Sequence, residues 1–404
     1  MHVGCCICCW SAAPGNRLRE TVNTPLVQTV TFRHSQQRFF TLRPPLLAQS
    51  QQTALLIMTQ SSWAQQATDR FFSGRKSPSQ IQCDEIAQSV SGASTVSPVD
   101  SPGSMSYTII CSGRPEPQQD LIVSFREPGA MLDEEMVKLA KEIHGDLVPE
   151  STCHGNVEGA DPPLSIYSMP YLRGSSCIEV LAFQVEMDPE EEAKHGVFVK
   201  HLARYFARCW SSSRPVDRQT QAEKQEGIRK RLARLAEESP SSILSNSMLS
   251  KLIENLPLLF SQDYPQVLTH GDFSVTNILV DENKFEITGI VDWSLAAVMP
   301  FGMDLDILFL TTGFMTQDGW HDYACKLLLR DTFWKEFWAA SGIEGEERRG
   351  RTQGLAEAAG QIGAILRLAF RRNADGSPSE EVLVSESRMK QLRAWFGEQA
   401  ARLT

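Results

Sequence analysis

One stretch, residues 267–304, constrains the fold more than any other part of the chain. Apolar residues flank a polar loop, His270–Asn277, that has the spacing H-x-D-x-x-x-x-N. A second apolar run, residues 287–291, ends at Asp292. This pattern predicts a strand, a polar loop and a hairpin. The hairpin would bring Asn277 and Asp292 together although they are far apart along the chain.

The residue types of this loop suit phosphoryl transfer, which needs positioning and charge neutralisation more than covalent chemistry from the protein. The carboxylate of Asp272 would face an acceptor hydroxyl. The amide oxygen of Asn277 and the carboxylate of Asp292 would hold a metal ion that bridges the phosphates. The stretch therefore predicts a catalytic site with one Mg²⁺.

These residues resemble the signature of the aminoglycoside phosphotransferase family, relatives of choline kinases and of protein kinases. Three ordered pieces carry the resemblance: His270-Gly271-Asp272 with Asn277, Ile290-Val291-Asp292-Trp293, and Gly302-Met303-Asp304-Leu305. His-Gly-Asp instead of His-Arg-Asp, and Asp-Trp instead of Asp-Phe-Gly, favour the small-molecule branch. A chance match inside an unrelated α/β domain is the alternative.

The resemblance implies an α+β, protein-kinase-like bilobal fold, with a small antiparallel-sheet lobe and a larger, mainly helical lobe. Residues 80–172 would form the nucleotide-binding lobe, and residues 173–404 would form the helical lobe with the catalytic loop. ATP and Mg²⁺ would bind between the lobes, and a hydroxylated small molecule would accept the phosphoryl group. The net charge of −10 argues against a nucleic-acid partner, and no apolar run reaches the length of a membrane span.

The resemblance also implies residues that bind the nucleotide phosphates. The strand-turn-strand around Ser104 would cover them, although its turn has a single Gly and an ordinary hairpin turn is the alternative. Arg126 stands where the family has a lysine; it can bind phosphate with two nitrogens but is not equivalent to lysine. Glu135, in a helix predicted over 133–144, would orient Arg126. Satisfying the helix amino terminus is the alternative role for this acid.

A strand predicted over 164–169 resembles the hinge between the lobes. The backbone carbonyl of Pro170 and the amide of Leu172 would meet the adenine, and Met169 would lie behind the ring. In the catalytic loop, Asp272 would act on the acceptor, and His270 would support the loop rather than transfer protons.

Asp304 follows Gly302 where the family has an acid that holds the base of the catalytic loop. The alternative is an N-cap for a helix that begins near Leu305. Both roles are compatible.

After the hinge the apolar periodicity becomes helical. Residues 197–210 predict a core helix, and Ile228, Leu232 and Leu235 stripe a second one. The other face of that second helix carries four basic residues: Arg229, Lys230, Arg231 and Arg234. Such a run is usually a solvated face; a docking surface for an anionic substrate is the alternative.

Apolar and aromatic residues near the carboxyl end predict two or more late helices, separated by loops over 341–350 and 373–378. The residues that mark these helices are Trp334, Phe337, Trp338, Ile365, Leu366, Leu368 and Phe370.

Residues 1–57 contain five arginines, no lysine and a single acid, Glu20. An Arg-rich, acid-poor leader is typical of a mitochondrial presequence. Translation from Met58 is the alternative, with the cytoplasm as the expected location. We expect residues 1–79 to be a disordered leader and a polar linker.

Four of the ten cysteines crowd together at Cys5, Cys6, Cys8 and Cys9. A metal site there would need further ligands, and none follows at zinc-finger spacing. The other six cysteines are scattered, which suits a reducing compartment.

We therefore expect an ATP- and Mg²⁺-dependent phosphotransferase with an alcohol group as acceptor. A nucleotide-binding pseudoenzyme that serves as an interaction module is the alternative. Arg126 and the glycine-poor turn favour it, whereas the intact Asp272, Asn277 and Asp292 oppose it. Protein kinase activity does not fit, because the segment between Asp292 and Asp304 is too short for an activation segment.

Overall fold

A computed structural model of the chain describes residues 64–100, 102–115, 119–238, 244–316, 318–373, 377–383 and 385–396. The Arg-rich segment 1–57 and its cysteine cluster lie outside these ranges. Among the described residues, no helix is both long and apolar enough to cross a membrane.

The amino-terminal lobe is built on a five-stranded antiparallel sheet with the order β1-β2-β3-β5-β4. Its strands are β1 (Thr95–Pro98), β2 (Ser106–Ser112), β3 (Leu121–Arg126), β4 (Thr152–Asn156) and β5 (Ser165–Pro170). Strict alternation in β2 buries Tyr107, Ile109 and Cys111 on one face, as expected for a strand with one face in a core.

Three helices accompany this sheet: α1 (residues 64–73), α2 (Gln80–Ser91) and α3 (Glu134–His144). The carboxylate of Asp133 caps α3 by accepting the amides of Glu135 and Met136 at 3.0 and 3.1 Å. The helix predicted over 133–144 is therefore confirmed. At its other end, the ring of His144 stacks on Tyr205 of the larger lobe, with 4.2 Å between ring centroids.

Helix α1 corrects part of the expectation that residues 1–79 are a disordered leader and a polar linker. Phe71 is buried, and the rings of Phe71 and Phe72 lie 6.3 and 4.9 Å from the ring of Tyr107 in β2. The segment is mostly polar, so its composition does not predict a packed helix. These two aromatic side chains nevertheless hold one face of α1 against the sheet.

The larger lobe is mainly helical. Its helices are α4 (Cys177–Val180), α5 (Pro189–Ser211), α6 (Arg218–Glu238), α7 (Asn246–Leu259), α8 (Ile307–Leu310), α9 (Lys326–Ser341), α10 (Glu346–Ala369) and α11 (Glu386–Phe396). Helix α5 packs on α9, with the rings of Phe206 and Phe333 5.8 Å apart. The predicted stripe of Ile228, Leu232 and Leu235 is buried. The α+β prediction, with a small sheet lobe and a larger helical lobe, is thus confirmed.

Short antiparallel strand pairs complete this lobe. They are formed by β6 (Ser175–Ser176), β7 (Gln266–Thr269), β8 (Ile278–Val280), β9 (Ile287–Ile290), β10 (Ala297–Pro300), β11 (Gly313–Met315), β12 (Trp320–Asp322), β13 (Phe370–Arg372) and β14 (Pro378–Val382). β7 pairs with β10, β8 with both β6 and β9, β11 with β12, and β13 with β14.

Two sequence expectations near the carboxyl end need correction. Phe370 does not extend a helix, because it pairs with Val382 in the β13–β14 hairpin. The loop expected over 341–350 is shorter than predicted, because α10 already begins at Glu346.

We predict that Phe71→Ala destabilises the amino-terminal lobe by about 3 kcal/mol, because it removes a buried ring from the contact between α1 and the sheet. Ile81→Ala is the control: Ile81 is 69% exposed, and its truncation should change stability by less than about 0.5 kcal/mol. Thermal and urea unfolding measure both. If Phe71→Ala changed stability as little as Ile81→Ala, α1 would not stabilise the lobe.

Candidate active site

The candidate active site is built on the loop 270–277, which connects β7 to β8. The loop therefore leaves one antiparallel pair, β7–β10, and enters another, β8–β9. Just after β9, the amide of Val291 donates to the carbonyl of Asn277 at 3.0 Å. Asn277 and Asp292 consequently lie at the same end of the β8–β9 hairpin, as the sequence predicts.

His270 is fully buried beneath this loop. Its Nε2 lies 2.9 Å from the carbonyl oxygen of Val291, to which it donates. Its Nδ1 accepts the amide of Asp272 at 3.4 Å. Both ring nitrogens are engaged with the backbone of the site, which favours a supporting role for His270 over proton transfer.

The carboxylate of Asp304 holds the base of the loop. It accepts the backbone amide of His270 at 2.5 Å and that of Gly271 at 3.2 Å. Burial raises the pKa of Asp304, and the His270 side chain and the two amides oppose that rise. Gly271 has a φ of +77°, and a Cβ there would clash with the backbone carbonyl of Leu295, so this position requires glycine.

Asp304 does not cap a helix in this structure. Helix α8 begins at Ile307, and the residue at its N-cap position is Asp306. The sequence allows two roles for Asp304, holding the loop and capping a helix, and the structure shows the first.

Asp272 and Asn277 contact each other within the loop. The amide nitrogen Nδ2 of Asn277 donates to the backbone carbonyl of Asp272 at 2.9 Å. This bond fixes the side-chain amide of Asn277 and leaves its oxygen as the atom that can bind a cation. Asp272 itself is partly buried.

Asp292 has a left-handed backbone conformation, with a φ of 63°, which is uncommon for a residue other than glycine. Its Oδ1 accepts from the Arg126 guanidinium at 2.8 Å and from the hydroxyl of Ser294 at 3.0 Å. Burial would raise the pKa of this carboxyl, but the Arg126 charge and these hydrogen bonds outweigh burial and hold it below its ordinary value. Asp292 therefore remains ionised at neutral pH.

Arg126, at the end of β3, links the two lobes. It is 6% exposed, and its Nη1 donates to the carbonyl of Ala130 at 3.1 Å as well as to Asp292. Within the described part of the chain, these are the hydrogen-bond partners of its guanidinium, and Glu135 is not among them. Glu135 lies exposed in the first turn of α3.

The loop with Ser104 adjoins Arg126. Ser106, the first residue of β2, pairs with Arg126, and the carbonyl of Met105 accepts the amide of Glu127 at 3.0 Å. Ser104 is exposed in this loop. The predicted strand-turn-strand therefore ends beside Arg126.

The predicted hinge residues lie at the end of β5 and just after it. Met169 and Pro170 pair with Ile122 and Leu121 of β3, and Met169 is buried. Leu172 packs closely on Gly289 of β9: a Cβ at Gly289 would lie 2.8 Å from Cδ1 of Leu172. The hinge segment and the β8–β9 hairpin are thus in direct contact.

Sequence reasoning did not find Ser294 or Ala130, which position Asp292 and Arg126. Ser294 lies two residues after Asp292, and that proximity is a usable signal. Nothing in the local sequence identifies Ala130, because its contribution is a backbone carbonyl.

The family of this chain follows from a comparison with protein-family models. Residues 116–349, more than half of the chain, match the model of the phosphotransferase enzyme family. The chain belongs to this family. Family membership and the observed two-lobed architecture together confirm the kinase-like fold predicted from the sequence. None of the curated proteins compared with the chain matches it.

Several solved structures are similar to the chain at low identity. A putative aminoglycoside phosphotransferase from Ralstonia eutropha is 15% identical and covers 80% of this chain and 95% of its own, with a TM-score of 0.47. A macrolide 2′-phosphotransferase from Brachybacterium faecium is 16% identical and covers 71% and 91%, with a TM-score of 0.43. An aminoglycoside phosphotransferase from Streptomyces rimosus is 14% identical and covers 70% and 98%, with a TM-score of 0.41.

We predict that Asp304→Ala loosens the loop 270–277, because it leaves the amides of His270 and Gly271 buried without an acceptor. The cost should be about 2 kcal/mol or more in unfolding free energy. Hydrogen exchange at these two amides should accelerate selectively.

Asp322→Ala is the control for this substitution. Asp322 forms an ion pair with Lys326 and accepts the exposed indole N–H of Trp320 at 2.9 Å. Because both contacts lie at the surface, their loss should cost less than about 1 kcal/mol. Unchanged exchange at His270 and Gly271 in Asp304→Ala would contradict the proposed support of the loop.

Proposed function

We propose that this protein is an ATP- and Mg²⁺-dependent phosphotransferase that acts on a hydroxyl group of a small molecule. The observation that carries the proposal is the meeting of Asp272, Asn277 and Asp292 at one end of the β8–β9 hairpin. The chain's membership of the phosphotransferase enzyme family supports the same conclusion.

In the proposed reaction, the acceptor oxygen forms a bond to the γ-phosphorus of ATP. The bond between that phosphorus and the β–γ bridging oxygen breaks, so the products are a phosphorylated acceptor and ADP. Asp272 orients the acceptor hydroxyl and takes its proton, which then passes to solvent.

Asn277 and Asp292 would hold Mg²⁺, which when bound neutralises phosphate charge. The donor set suits this ion: Asp292 is ionised, and the Asn277 amide is fixed with its oxygen available. Among the described residues there is no group of three or more His, Cys, Asp or Glu side chains that could hold a metal. Mg²⁺ needs none, since it is usually bound through one or two carboxylates together with substrate phosphates and water.

Arg126 would contact the nucleotide phosphates. Its hydrogen bonds to described residues use Nη1, so the second amino nitrogen of the guanidinium is the one offered to a phosphate oxygen. Ser104 would cover the phosphates from its loop, and Met169, Pro170 and Leu172 would surround the adenine. The predicted role of Glu135 requires it to approach Arg126 when the nucleotide binds.

One contact favours the alternative, a nucleotide-binding pseudoenzyme. Arg126 pairs directly with Asp292, the proposed metal ligand, and therefore competes with the cation for that carboxylate. Release of ADP in the presence of an acceptor decides between the two functions, because only the enzyme produces it.

We predict that Asp272→Asn abolishes turnover while Mg²⁺-dependent ATP affinity stays nearly intact. Asp292→Asn should reduce both, because a neutral amide is a poorer ligand for a hard divalent cation. Loss of an interaction made mainly in the transition state appears in turnover, whereas loss of ground-state binding appears in affinity. Calorimetric titration of ATP with and without Mg²⁺ measures the Mg²⁺-dependent affinity of each variant. GTP is titrated in parallel to identify the phosphoryl donor.

The control for these variants is Asp263→Asn, at an exposed aspartate before β7; it should behave like the parent. Equal loss of Mg²⁺-dependent binding in Asp272→Asn and Asp292→Asn would contradict the separate roles. Normal binding and turnover in both would contradict the kinase-like function itself.

We predict that Arg126→Ala weakens nucleotide binding and turnover together, because it removes a phosphate contact and unpairs Asp292. Arg126→Lys should retain part of the activity, since lysine is the usual residue of the family at this position. Titration with ATP and Mg²⁺ and an ADP-release assay measure both effects. Lys138→Ala, at an exposed residue of α3, is the control for loss of one positive charge. Parent-like binding and turnover in Arg126→Ala would show that Arg126 does not contact the nucleotide.

A further inference from the structure

A cavity of about 140 Å³ lies behind the catalytic loop. It is bounded by Gly271 of that loop, by β10, by α6 and α10, and by the β13–β14 hairpin. A cavity of roughly this volume holds one benzene-sized group. Asp272 follows the lining residue Gly271 directly, and its charge acts on the lining residue Asp306, so a ligand in this cavity would lie near the proposed acceptor site.

Four arginines and two aspartates line this cavity: Arg231, Arg367, Arg371, Arg372, Asp304 and Asp306. Both aspartates already have partners. Asp304 accepts the two loop amides, and Asp306 accepts Nε of Arg367 at 3.0 Å within a buried ion pair. The four guanidinium groups outnumber the two carboxylates, so the lining is net positive although the whole chain carries a net charge of −10.

The basic residues predicted on one face of α6 lie in two different environments. Arg229 and Arg234 form ion pairs with Glu226 and Glu238 of the same helix, as expected for a solvated face. Arg231 instead lines the cavity, and its Nε donates to the carbonyl of Gly227 at 3.0 Å.

Arg372 approaches the cavity from β13. Its Nη2 donates to the carbonyl of Gly271 at 3.2 Å. Burial and the nearby charge of Arg372 lower the pKa of Arg231, and Glu380 opposes this effect. Two guanidinium groups that face one cavity repel each other, and an anion between them removes that repulsion.

Two acids of β14, Glu380 and Glu381, lie near these arginines. Glu381 pairs with Arg371 at 3.3 Å, and its side chain is 61% exposed. Glu380 reaches Arg234 at 3.9 Å from an equally exposed position. Both ion pairs lie in solvent, where such contacts are weak, whereas Arg231 is partly buried.

We propose that the acceptor is an anionic hydroxylated molecule, whose carboxylate or phosphate group binds Arg231 and Arg372 while its hydroxyl faces Asp272. The planar fork of arginine matches both groups. A cationic acceptor would be repelled by the same side chains. This assignment rests on the proposed phosphotransferase function and specifies the substrate class of the same site.

The test uses the full chain with Mg²⁺ and a non-hydrolysable ATP analogue. Four probes are titrated while Tm is recorded: glycerate, glycerol 3-phosphate, glycerol and choline. At least one anionic probe should raise Tm at millimolar concentration, and glycerol and choline should not. Comparing glycerate with glycerol 3-phosphate distinguishes recognition of a carboxylate from recognition of a phosphate.

Arg231→Met and Arg372→Met should each weaken binding of the anionic probe about tenfold, the loss of one charge-assisted hydrogen bond. Arg231→Lys, which keeps the charge, should lose less. Arg229→Met is the matched control, because it removes a charge from the solvated face of the same helix, and it should bind like the parent.

Three results would overturn the assignment: parent-like anion binding in Arg231→Met, equal stabilisation by choline or glycerol, or no response to either anion. The proposed function is tested separately, by the rise in Tm that ATP and Mg²⁺ produce without an acceptor probe. Repeating the anion titration without nucleotide keeps the two results independent, so failure of one does not conceal the other.

Discussion

The geometry of the loop 270–277 depends on one buried carboxylate. Asp304 accepts the amides of both residues that precede Asp272, and each amide would otherwise be buried without a partner. This acceptor lies 33 residues beyond Gly271 in the chain. The β8–β9 hairpin and β10 must therefore fold back before the loop is complete. The position of the proposed base is consequently a property of the tertiary fold and not of the loop alone.

A second charge contact joins the lobes. Arg126 and Asp292 are 166 residues apart in sequence, and their ion pair is partly buried, where loss of one partner is costly. Asp292 holds a left-handed conformation that is unfavourable for a residue with a side chain. The contacts from Arg126 and Ser294 help to offset that cost. Opening of the cleft would therefore disturb the proposed metal ligand directly.

Local sequence pattern predicted those parts of the molecule whose partners are near in sequence. The loop 270–277, its hairpin and the helix capped by Asp133 belong to this group, because spacing and capping residues specify them. Helix α1 was missed, since Phe71 gains its burial from a sheet that comes later in the chain. Phe370 was misassigned because it continues the apolar periodicity of α10, and only its pairing with Val382 shows a strand. Asp292 could not be predicted as the partner of Arg126 either, because no local pattern encodes a contact between lobes.

The residues that line the cavity behind the loop come from two different parts of the sequence. Residues 116–349, which match the family model, contain Asp272, Asn277, Asp292 and Arg126. Arg372 and the whole β13–β14 hairpin come from beyond that stretch. Of the two arginines proposed to bind the acceptor, Arg231 lies within the matched stretch and Arg372 lies beyond it, so the proposed acceptor site draws on both segments. Under the proposed function, sequence change around Arg372 would alter acceptor binding during evolution while Asp272, Asn277 and Asp292 remain as they are.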